Sequence, residues 1–386
     1  MVEVLDDRRL NRTLLVRQLL LRRSERTVVE ALRHLIGLQS QNPGSAYLAL
    51  AARLEGFDPD ELGRLLVDRQ AVRVVLMRST IHLVLADDAL ELRPLTDPVT
   101  QRGLRTNWGR YLVDLDLAEV AATGRALVEA QPRTAKELGQ DLQTSWPDRD
   151  AAALVQVVRA FVPLIQLPPR AVWGQSGTQN HTSAEAWLGR PVATDPSPEA
   201  LVLRYLTAFG PAKAADLRSW WGITGARELL DGMRDRLRTF QDERGAELFD
   251  VPEGQLAPGD VPAQVRYLPD YDNVLLGHED RRRILHEDVR AGLIGTPTVL
   301  VDGFVAGTWT VERETGAAVV VVTPFGRLSR AERLDLAEEG MRLLAMTDPG
   351  ATHDVKVGAA GPPPRSPVAP GVRSRGGPSR AAERRG

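Results

Sequence analysis

The chain contains no cysteine, and only three of its 49 basic residues are lysine. The absence of cysteine excludes disulfide bonds, thiolate-bound zinc and a thiol nucleophile. No apolar run approaches the length of a membrane-spanning helix, and the charged N-terminus lacks the apolar centre of a signal peptide. A phosphate-binding Gly-x-x-x-x-Gly-Lys-Ser/Thr loop is also missing. We therefore expect a cytoplasmic protein with neither a membrane partner nor a cofactor.

The six histidines form no pair with the spacing of a metal-binding helix, so we expect no metal site. Charge is unevenly distributed along the chain. The residues from Ala351 onward include seven basic and two acidic residues, a charge of +5, which leaves −7 for the rest because the total is −2. Such a body lacks the strongly basic footprint of a protein that binds nucleic acid tightly and nonspecifically.

Helical periodicity and turn residues predict the same order of elements three times, helices followed by a two-stranded hairpin, which is the order of a winged helix. Short strands separated by tight turns then predict a small sheet or barrel. The last segment is rich in Pro, Gly, Arg and Ser, which predicts disorder. The predicted units are winged-helix modules at 1–112, 113–195 and 196–253, a β-rich domain with a final helix at 254–348, and a disordered basic tail at 349–386.

One prediction concerns a long helix that starts near Ala86 and is broken near Pro94 and Pro98. Another concerns the first module, where an amphipathic helix leads into Gln39-Ser40-Gln41. Gln39 continues the apolar stripe of that helix, and Pro43 and Gly44 follow the motif as helix breakers.

If the helix ends at Gln39, the next residues are extended, and side chains two apart point the same way. Gln39 and Gln41 could then share one cleft and hold a water or a sugar without adding charge. The alternative is a polar helix end whose glutamines bond to nearby backbone groups.

The turn of the first hairpin carries a second candidate group, Arg78-Ser79-Thr80 and His82. Thr80 and His82 are expected on one face of the second strand, in a cleft shared with the glutamines. The alternative for the histidine is a structural hydrogen bond. Residues 267–273 are rich in acids and aromatic rings, and they either form a turn that fixes the sheet or contribute directly to a site.

A third candidate group is the densest basic cluster of the body. Arg281, Arg282 and Arg283 could contact phosphate. The alternative is a solvated face of the protein.

Four segments, at residues 38–41, 77–83, 268–272 and 301–309, occur in an order that resembles the AlkZ-like winged-helix DNA glycosylases. The resemblance covers roughly residues 8–346. It implies a mainly α-helical α+β fold, with three tandem winged-helix modules in a C shape around DNA and a C-terminal β-barrel-like domain.

The resemblance further implies a monofunctional DNA glycosylase that hydrolyses the N-glycosidic bond of alkylated purines. The implied lesions are N7-alkylguanine, bulky genotoxin adducts and interstrand crosslinks, and the implied roles are DNA repair by base excision and antibiotic self-resistance. The expected partner is double-stranded DNA, bound by a monomer associated with the nucleoid.

The family motif is Gln, a residue that is usually apolar, and Gln. Gln39 and Gln41 match it as catalytic residues, whereas Ser40 departs from it, and many relatives have Gly where this chain has Ser79. The predicted substrate- and DNA-binding residues are Arg78, Ser79, Thr80, His82, Asn42, Asp272, Arg281, Arg282 and Arg283.

The family also includes proteins described only as DNA-binding. A winged-helix transcriptional regulator without catalysis therefore stays open as an alternative. A damage-binding or drug-sequestering protein that has lost catalysis is a third possibility.

Overall fold

The structure is a computed structural model that describes residues 2–286, 289 and 292–363. It combines α-helices with three β-sheets. The helices are α1 (Asp7–Arg17), α2 (Val28–Leu35), α3 (Ser45–Ala51), α4 (Pro59–Val67), α5 (Ala86–Trp108), α6 (Leu117–Ala130), α7 (Ala135–Gln143), α8 (Ala151–Phe161), α9 (Ala184–Leu188), α10 (Pro198–Phe209), α11 (Ala214–Trp221), α12 (Ala226–Gly232), α13 (Asn273–Leu276) and α14 (Arg330–Thr347). The strands are β1 (Val4–Leu5), β2 (Leu38–Gln39), β3 (Ala71–Val75), β4 (Ile81–Leu85), β5 (Leu164–Gln166), β6 (His181–Ser183), β7 (Arg238–Asp242), β8 (Glu247–Asp250), β9 (Arg266–Leu268), β10 (Thr298–Val301), β11 (Phe304–Glu314), β12 (Ala317–Pro324) and β13 (Thr352–Val357).

Local sequence signals explain where many helices begin. Thr27, Thr134 and Ser329 each form a reciprocal capping box with a glutamate three residues later, which satisfies backbone N–H groups at the starts of α2, α7 and α14. Asp58 caps α4, whose first residue is Pro59. Three helices followed by two paired strands occur as predicted in α6–α8 with β5–β6 and in α10–α12 with β7–β8. Before β3 and β4, the first unit contains the predicted helices α1, α2 and α4 and also a helix and a strand that were not predicted, α3 and β2.

The predicted break in the long helix is wrong, because α5 runs through both Pro94 and Pro98. A proline cannot donate to the carbonyl four residues earlier, which for Pro94 is that of Leu90. That carbonyl instead accepts a hydrogen bond from the backbone N–H of Ala193, at 3.0 Å. A partner distant in sequence therefore replaces the missing helical bond.

The first and second hairpins share one sheet, in the order β2-β4-β3-β5-β6, where β3 pairs antiparallel with β5. A second sheet, β1-β7-β8, joins the N-terminus to the third hairpin. The largest apolar core is also shared, since it includes Leu14, Val74, Phe209 and Leu300 from distant parts of the chain. Among the described residues, no helix is both long and apolar enough to cross a membrane.

The third sheet has the order β13-β12-β11-β10-β9 and packs against α14. It is open, with β13 and β9 at its edges, so the described residues do not close a barrel. The predicted disorder from residue 349 is wrong for Thr352–Val357, because β13 pairs in parallel with β12. Its alternating valines, Val355 and Val357, pack on the apolar core of this sheet. Residues 364–386 of the predicted tail lie outside the described residues.

Candidate active site

The glutamine motif begins at the end of a short edge strand, β2, and not on the preceding helix. Helix α2 ends at Leu35, after which Ile36 and Gly37 adopt left-handed backbone conformations, with φ of 57° and 79°. A Cβ at Gly37 would lie 2.6 Å from the carbonyl oxygen of Leu83, so this turn requires glycine. The turn starts β2, in which Gln39 pairs opposite His82 of β4. The prediction that the helix extends to Gln39 is therefore wrong by four residues.

Gln39 is almost fully buried, with 5% of its surface exposed, and it is bonded to a cation. Its Oε1 accepts a hydrogen bond of 2.7 Å from Nη2 of Arg78. Because a guanidinium only donates, the amide oxygen must face Arg78. Gln39 Nε2 has no protein acceptor among the described residues and is available to donate. The expected proximity of the hairpin turn and the glutamines is thus observed.

Arg78 lies at the tip of the first hairpin, in a left-handed conformation with φ of 56°. Besides Gln39, it donates to the carbonyl oxygen of Trp220 in α11, which fixes the tip against the third helical unit. Burial, and secondarily the charge of Arg281, lowers the Arg78 pKa to about 10. The guanidinium is therefore charged at neutral pH, although no described carboxylate forms an ion pair with it.

Gln41 is half-buried, and its side chain makes no hydrogen bond with the described residues. The backbone around it is held by Arg73 of β3. Nη2 of Arg73 donates to the carbonyl oxygen of Ser40 at 2.6 Å and lies 3.5 Å from that of Gln41. The segment is thereby fixed while the Gln41 amide is left for a ligand.

Arg73 itself is 2% exposed, and its other terminal nitrogen donates to Oε1 of Gln166. Burial, and secondarily the charge of Arg170, lowers its pKa to about 10. Ser40 is fully buried, with its N–H bonded to the carbonyl of Ile81 and its Oγ donating to that of Asn42 at 3.3 Å. The polar middle residue of the motif is therefore accommodated by a local hydrogen bond.

The other end of the segment is bound by a buried carboxylate, that of Asp270. This side chain is 7% exposed and accepts hydrogen bonds from the amide of Asn42 and the hydroxyl of Ser45. Among the described residues it has no cationic partner. Residues 40–45 thus lie between a buried cation and a buried anion.

Sequence reasoning did not select either of these two charged residues. Arg73 interrupts an otherwise apolar strand, and Asp270 lies in the acid-rich segment after β9. A charged residue at a position expected to be buried was the available signal in both cases.

The side chains of Thr80 and His82 bond within the hairpin itself. Thr80 Oγ1 donates to the carbonyl of Met77 at 3.0 Å, and His82 Nδ1 lies 2.9 Å from the carbonyl of Thr80. Burial, followed by the charge of Arg78, lowers the His82 pKa to about 3, so the imidazole is neutral and Nδ1 carries the proton. His82 is 2% exposed, which matches the structural alternative, whereas Ser79 is exposed at the tip.

Three of the predicted DNA-binding residues are buried and bonded within the protein: His82, described above, and Asp272 and Arg283. The carboxylate of Asp272 binds both terminal nitrogens of Arg53, at 2.7 and 2.8 Å, and also caps α13. Arg283 is 5% exposed and donates to the carbonyl of Pro211 at 2.9 Å. The three consecutive arginines therefore do not form one phosphate-binding face.

The other two arginines of that cluster are half-buried. Arg282 is paired with Asp280. Arg281 donates from Nε to the carbonyl of Leu275 at 2.8 Å, and its charge acts on Arg78. Only Arg281 is thus electrostatically linked to the glutamine site. Within the part of the chain that the structure describes, no cluster of histidine and carboxylate side chains is suitable for a metal ion.

Comparisons with known proteins agree with this architecture. A family model described as DNA glycosylase AlkZ-like matches residues 32–346. The solved structure of the Streptomyces sahachiroi DNA glycosylase AlkZ is similar in fold, with a TM-score of 0.73 and 20% sequence identity over 92% of this chain and 100% of that chain. No match was found among curated proteins. At this identity the solved structure supports the fold, whereas the family match covers most of the chain.

Proposed function

We propose that this chain, which belongs to the AlkZ-like DNA glycosylase family, hydrolyses the N-glycosidic bond of alkylated purines in double-stranded DNA with Gln39 and Gln41. Membership of this family makes the chain a DNA glycosylase, whose partner is DNA. The observation that carries the finer assignment is the unequal state of the two amides. Arg78 binds the oxygen of Gln39, while the half-buried amide of Gln41 makes no hydrogen bond with the described residues.

The two amides thereby receive different roles. The oxygen of Gln39 already accepts a hydrogen bond from Arg78, so we assign its Nε2 as the donor to the cleft. Gln41 keeps its oxygen as an acceptor. A water that accepts from Gln39 and donates to Gln41 would be held between them, and its remaining lone pair would face the sugar carbon.

The chemistry of the substrate suits such neutral groups. An N7-alkylated guanine already carries a positive charge, so the base departs with little acid assistance. The difficult step is the formation of an oxocarbenium-like sugar, as in other glycoside hydrolysis. The Gln41 oxygen would favour this developing positive charge over the ground state. Water would be the nucleophile, which defines a monofunctional glycosylase.

Several finer assignments follow the family and belong to the same proposal. The three units of helices and a hairpin are winged-helix modules, at 1–112, 113–195 and 196–253, arranged in a C shape around the duplex. N7-alkylguanine, bulky genotoxin adducts and interstrand crosslinks are the candidate lesions, in base excision repair or antibiotic self-resistance. Ser79 at the exposed hairpin tip and Asn42 beside Gln41 are the predicted DNA contacts with the most accessible side chains.

The test is base release from a duplex that carries a single N7-methylguanine, measured as alkali-labile abasic sites under single-turnover conditions. We expect Gln39→Ala and Gln41→Ala to lower the rate by roughly 10²–10³-fold, the size of effect seen when one preorganised polar group is removed from an active site. Both variants should retain the wild-type circular dichroism spectrum. Gln41→Ala should also keep the wild-type melting temperature, whereas Gln39→Ala should melt at a lower temperature because Arg78 loses its acceptor.

Gln175→Ala is the matched control, because this glutamine is exposed and distant in sequence from the motif. A Gln41→Ala protein with the wild-type rate would contradict the assignment. If wild type released neither N7-methylguanine nor a crosslinked base but bound one undamaged sequence tightly, the regulator without catalysis would replace the glycosylase.

A further inference from the structure

The amide of Asn42, the residue after Gln41, has a fixed orientation. Its Nδ2 donates to a carboxylate oxygen of Asp270, and a carboxylate only accepts. The oxygen of the Asn42 amide therefore points away from Asp270. Asn42 is exposed, and among the described residues none donates to this oxygen. The side chain thus presents an acceptor to solvent beside the glutamine motif.

Asp270 differs from the other five buried aspartates in the described part of the chain. Four of those five bind a cationic side chain, in the pairs Asp88–Arg204, Asp242–Lys213, Asp250–Arg17 and Asp272–Arg53. The fifth, Asp216, accepts from backbone N–H groups. Asp270 accepts only from the side chains of Asn42 and Ser45. Its negative charge therefore has no described cation to offset it and caps no helix.

The chain on both sides of Asp270 is held in place. The segment follows β9, whose last residue, Leu268, accepts a hydrogen bond of 2.9 Å from Nε1 of Trp309. Two residues after Asp270, the carboxylate of Asp272 binds Arg53 at 2.7 and 2.8 Å. The carboxylate of Asp270 is thus preorganised, and it determines how the Asn42 amide is oriented.

Gln39, at the other end of the segment, is oriented in the opposite sense. Arg78 donates to its oxygen at 2.7 Å, which leaves Nε2 for the cleft. One end of the segment therefore presents a donor next to a cation, and the other presents an acceptor next to an anion. At the Asn42 end the amide dipole and the carboxylate charge both favour a positive centre.

We propose that Asn42 is a third functional amide of the site, whose oxygen Asp270 directs at the positive charge that develops on the deoxyribose. Asp270 acts through Asn42 and is therefore a positioning residue. The inference rests on the proposed function in that the ligand is a nucleotide whose sugar becomes positively charged.

The experiment compares the affinity of the protein for two duplexes that differ only in one abasic-site analogue. A protonated pyrrolidine carries the positive charge of the sugar in the transition state, whereas a tetrahydrofuran has nearly the same shape and is neutral. We expect wild type to bind the pyrrolidine duplex more tightly. The ratio of the two dissociation constants, which we call the charge ratio, is insensitive to general DNA affinity because both duplexes have the same phosphates.

Two single variants test the two residues. Asn42→Leu removes the acceptor at nearly constant volume, and we expect the charge ratio to fall roughly tenfold. Asp270→Asn can keep both hydrogen bonds but removes the charge, so the charge ratio should fall roughly 3–10-fold. Asp148→Asn is the matched control, because this aspartate is exposed and distant in sequence from the site, and its charge ratio should equal that of wild type.

A double variant separates positioning from packing. In Asn42→Asp combined with Asp270→Asn, the amide introduced at position 270 donates to the carboxylate introduced at position 42. The second oxygen of that carboxylate then takes the place of the Asn42 oxygen, so the charge ratio should return at least to its wild-type value. A merely structural role for Asp270 would change melting temperatures and leave the charge ratio of every folded variant at the wild-type value.

A wild-type charge ratio near one would overturn the proposal, and so would an unchanged charge ratio in Asn42→Leu. Asn42 is exposed, so this variant should fold even if Asp270→Asn does not. The measurement requires no base release. If wild type releases no alkylated base but the charge ratios behave as expected, the glycosylase chemistry fails and the assignment of Asn42 stands. If base release depends on Gln39 and Gln41 while the charge ratios do not change, the reverse holds.

Discussion

Two pairs of buried arginines differ in what they are bonded to. Arg17 and Arg53 each bind a buried carboxylate through both terminal nitrogens, those of Asp250 and Asp272. Within the described part of the chain, the buried Arg73 and the half-buried Arg78 are bonded only to neutral oxygens, and both contact the glutamine segment.

Arginines that are paired with carboxylates and arginines that are not have different roles in a protein. The paired arginines join distant parts of the chain, since Arg17 lies in α1 and Asp250 in β8, and Arg53 follows α3 and binds Asp272 at the start of α13. A buried cation without a counter-charge is unfavourable for folding. Ionisable side chains with strongly shifted pKa values are more frequent at functional sites than elsewhere in proteins. Two cations without a described carboxylate partner meet at the segment from Gln39 to Asn42, which supports the site proposed there. The buried Arg283, bonded to the carbonyl of Pro211, is a third and lies outside that segment.

The largest expected loss of stability follows substitution of an arginine that is paired with a carboxylate. Arg53→Met would leave the carboxylate of Asp272 buried without a partner, and we expect the free energy of unfolding to fall by about 3–5 kcal/mol. Urea denaturation measures this loss. Adding Asp272→Leu should restore much of the stability, apart from about 1 kcal/mol for the lost cap of α13. A loss below about 1 kcal/mol in the single variant would remove the distinction between the two pairs.

An intermediate effect concerns His82, which lies against the unpaired Arg78. The folded protein takes up its proton only near pH 3, whereas an unfolded histidine does so near pH 6.5. Between these values the unfolded state binds more protons, so stability falls as pH falls. At pH 4.5 the His82 contribution to this loss is about 2–3 kcal/mol.

His82→Asn should therefore lose less stability than wild type between pH 7 and pH 4.5, as measured by urea denaturation at both pH values. His181→Asn is the comparison variant, and its benefit should be nearly the same over this range, because pH 4.5 lies above both folded-state pKa values. Equal losses in wild type and His82→Asn would show that the imidazole is not held neutral by its surroundings.

The smallest effect on stability is expected at Arg73. Arg73→Met removes charged hydrogen bonds to Ser40 and Gln166, yet it also removes an unpaired buried cation. We expect a net loss of about 1–2 kcal/mol, well below that of Arg53→Met. Base release should nevertheless fall roughly 10–100-fold, because the backbone that holds Gln41 is no longer fixed.

The readout that separates positioning from folding is the single-turnover rate at saturating enzyme. Arg73→Lys keeps the charge and one donor, so it should recover part of the rate. If Arg73→Met were as unstable as Arg53→Met but as active as wild type, Arg73 would have a role in stability and not in positioning Gln41.

The sequence was most informative where structure is local. The hairpin of β3 and β4 has its turn at Arg78 and Ser79 as predicted, and capping residues such as Thr134 begin their helices. Each of these signals involves residues within a few positions of one another.

Features that depend on distant residues were not predictable in the same way. The end of α2 depends on Gly37 lying against Leu83, and the continuity of α5 depends on Ala193. The parallel strand β13 forms only because β12 offers an edge. At the site, the two glutamines were identified by the family motif, whereas Arg73 and Asp270 were not, because nothing in one strand indicates which side chains face a loop elsewhere.

The shared sheet has a consequence for folding. A fragment that ends at residue 112 would contain both glutamines and the hairpin that contacts them. It would nevertheless leave β3 without β5, and the exposed edge would offer unpaired backbone groups to other chains. Gln166, the acceptor that satisfies Arg73, would be absent as well. We therefore expect residues 1–112 and 113–195 to fold as one cooperative unit, in which Gln166 completes the surroundings of the glutamine segment.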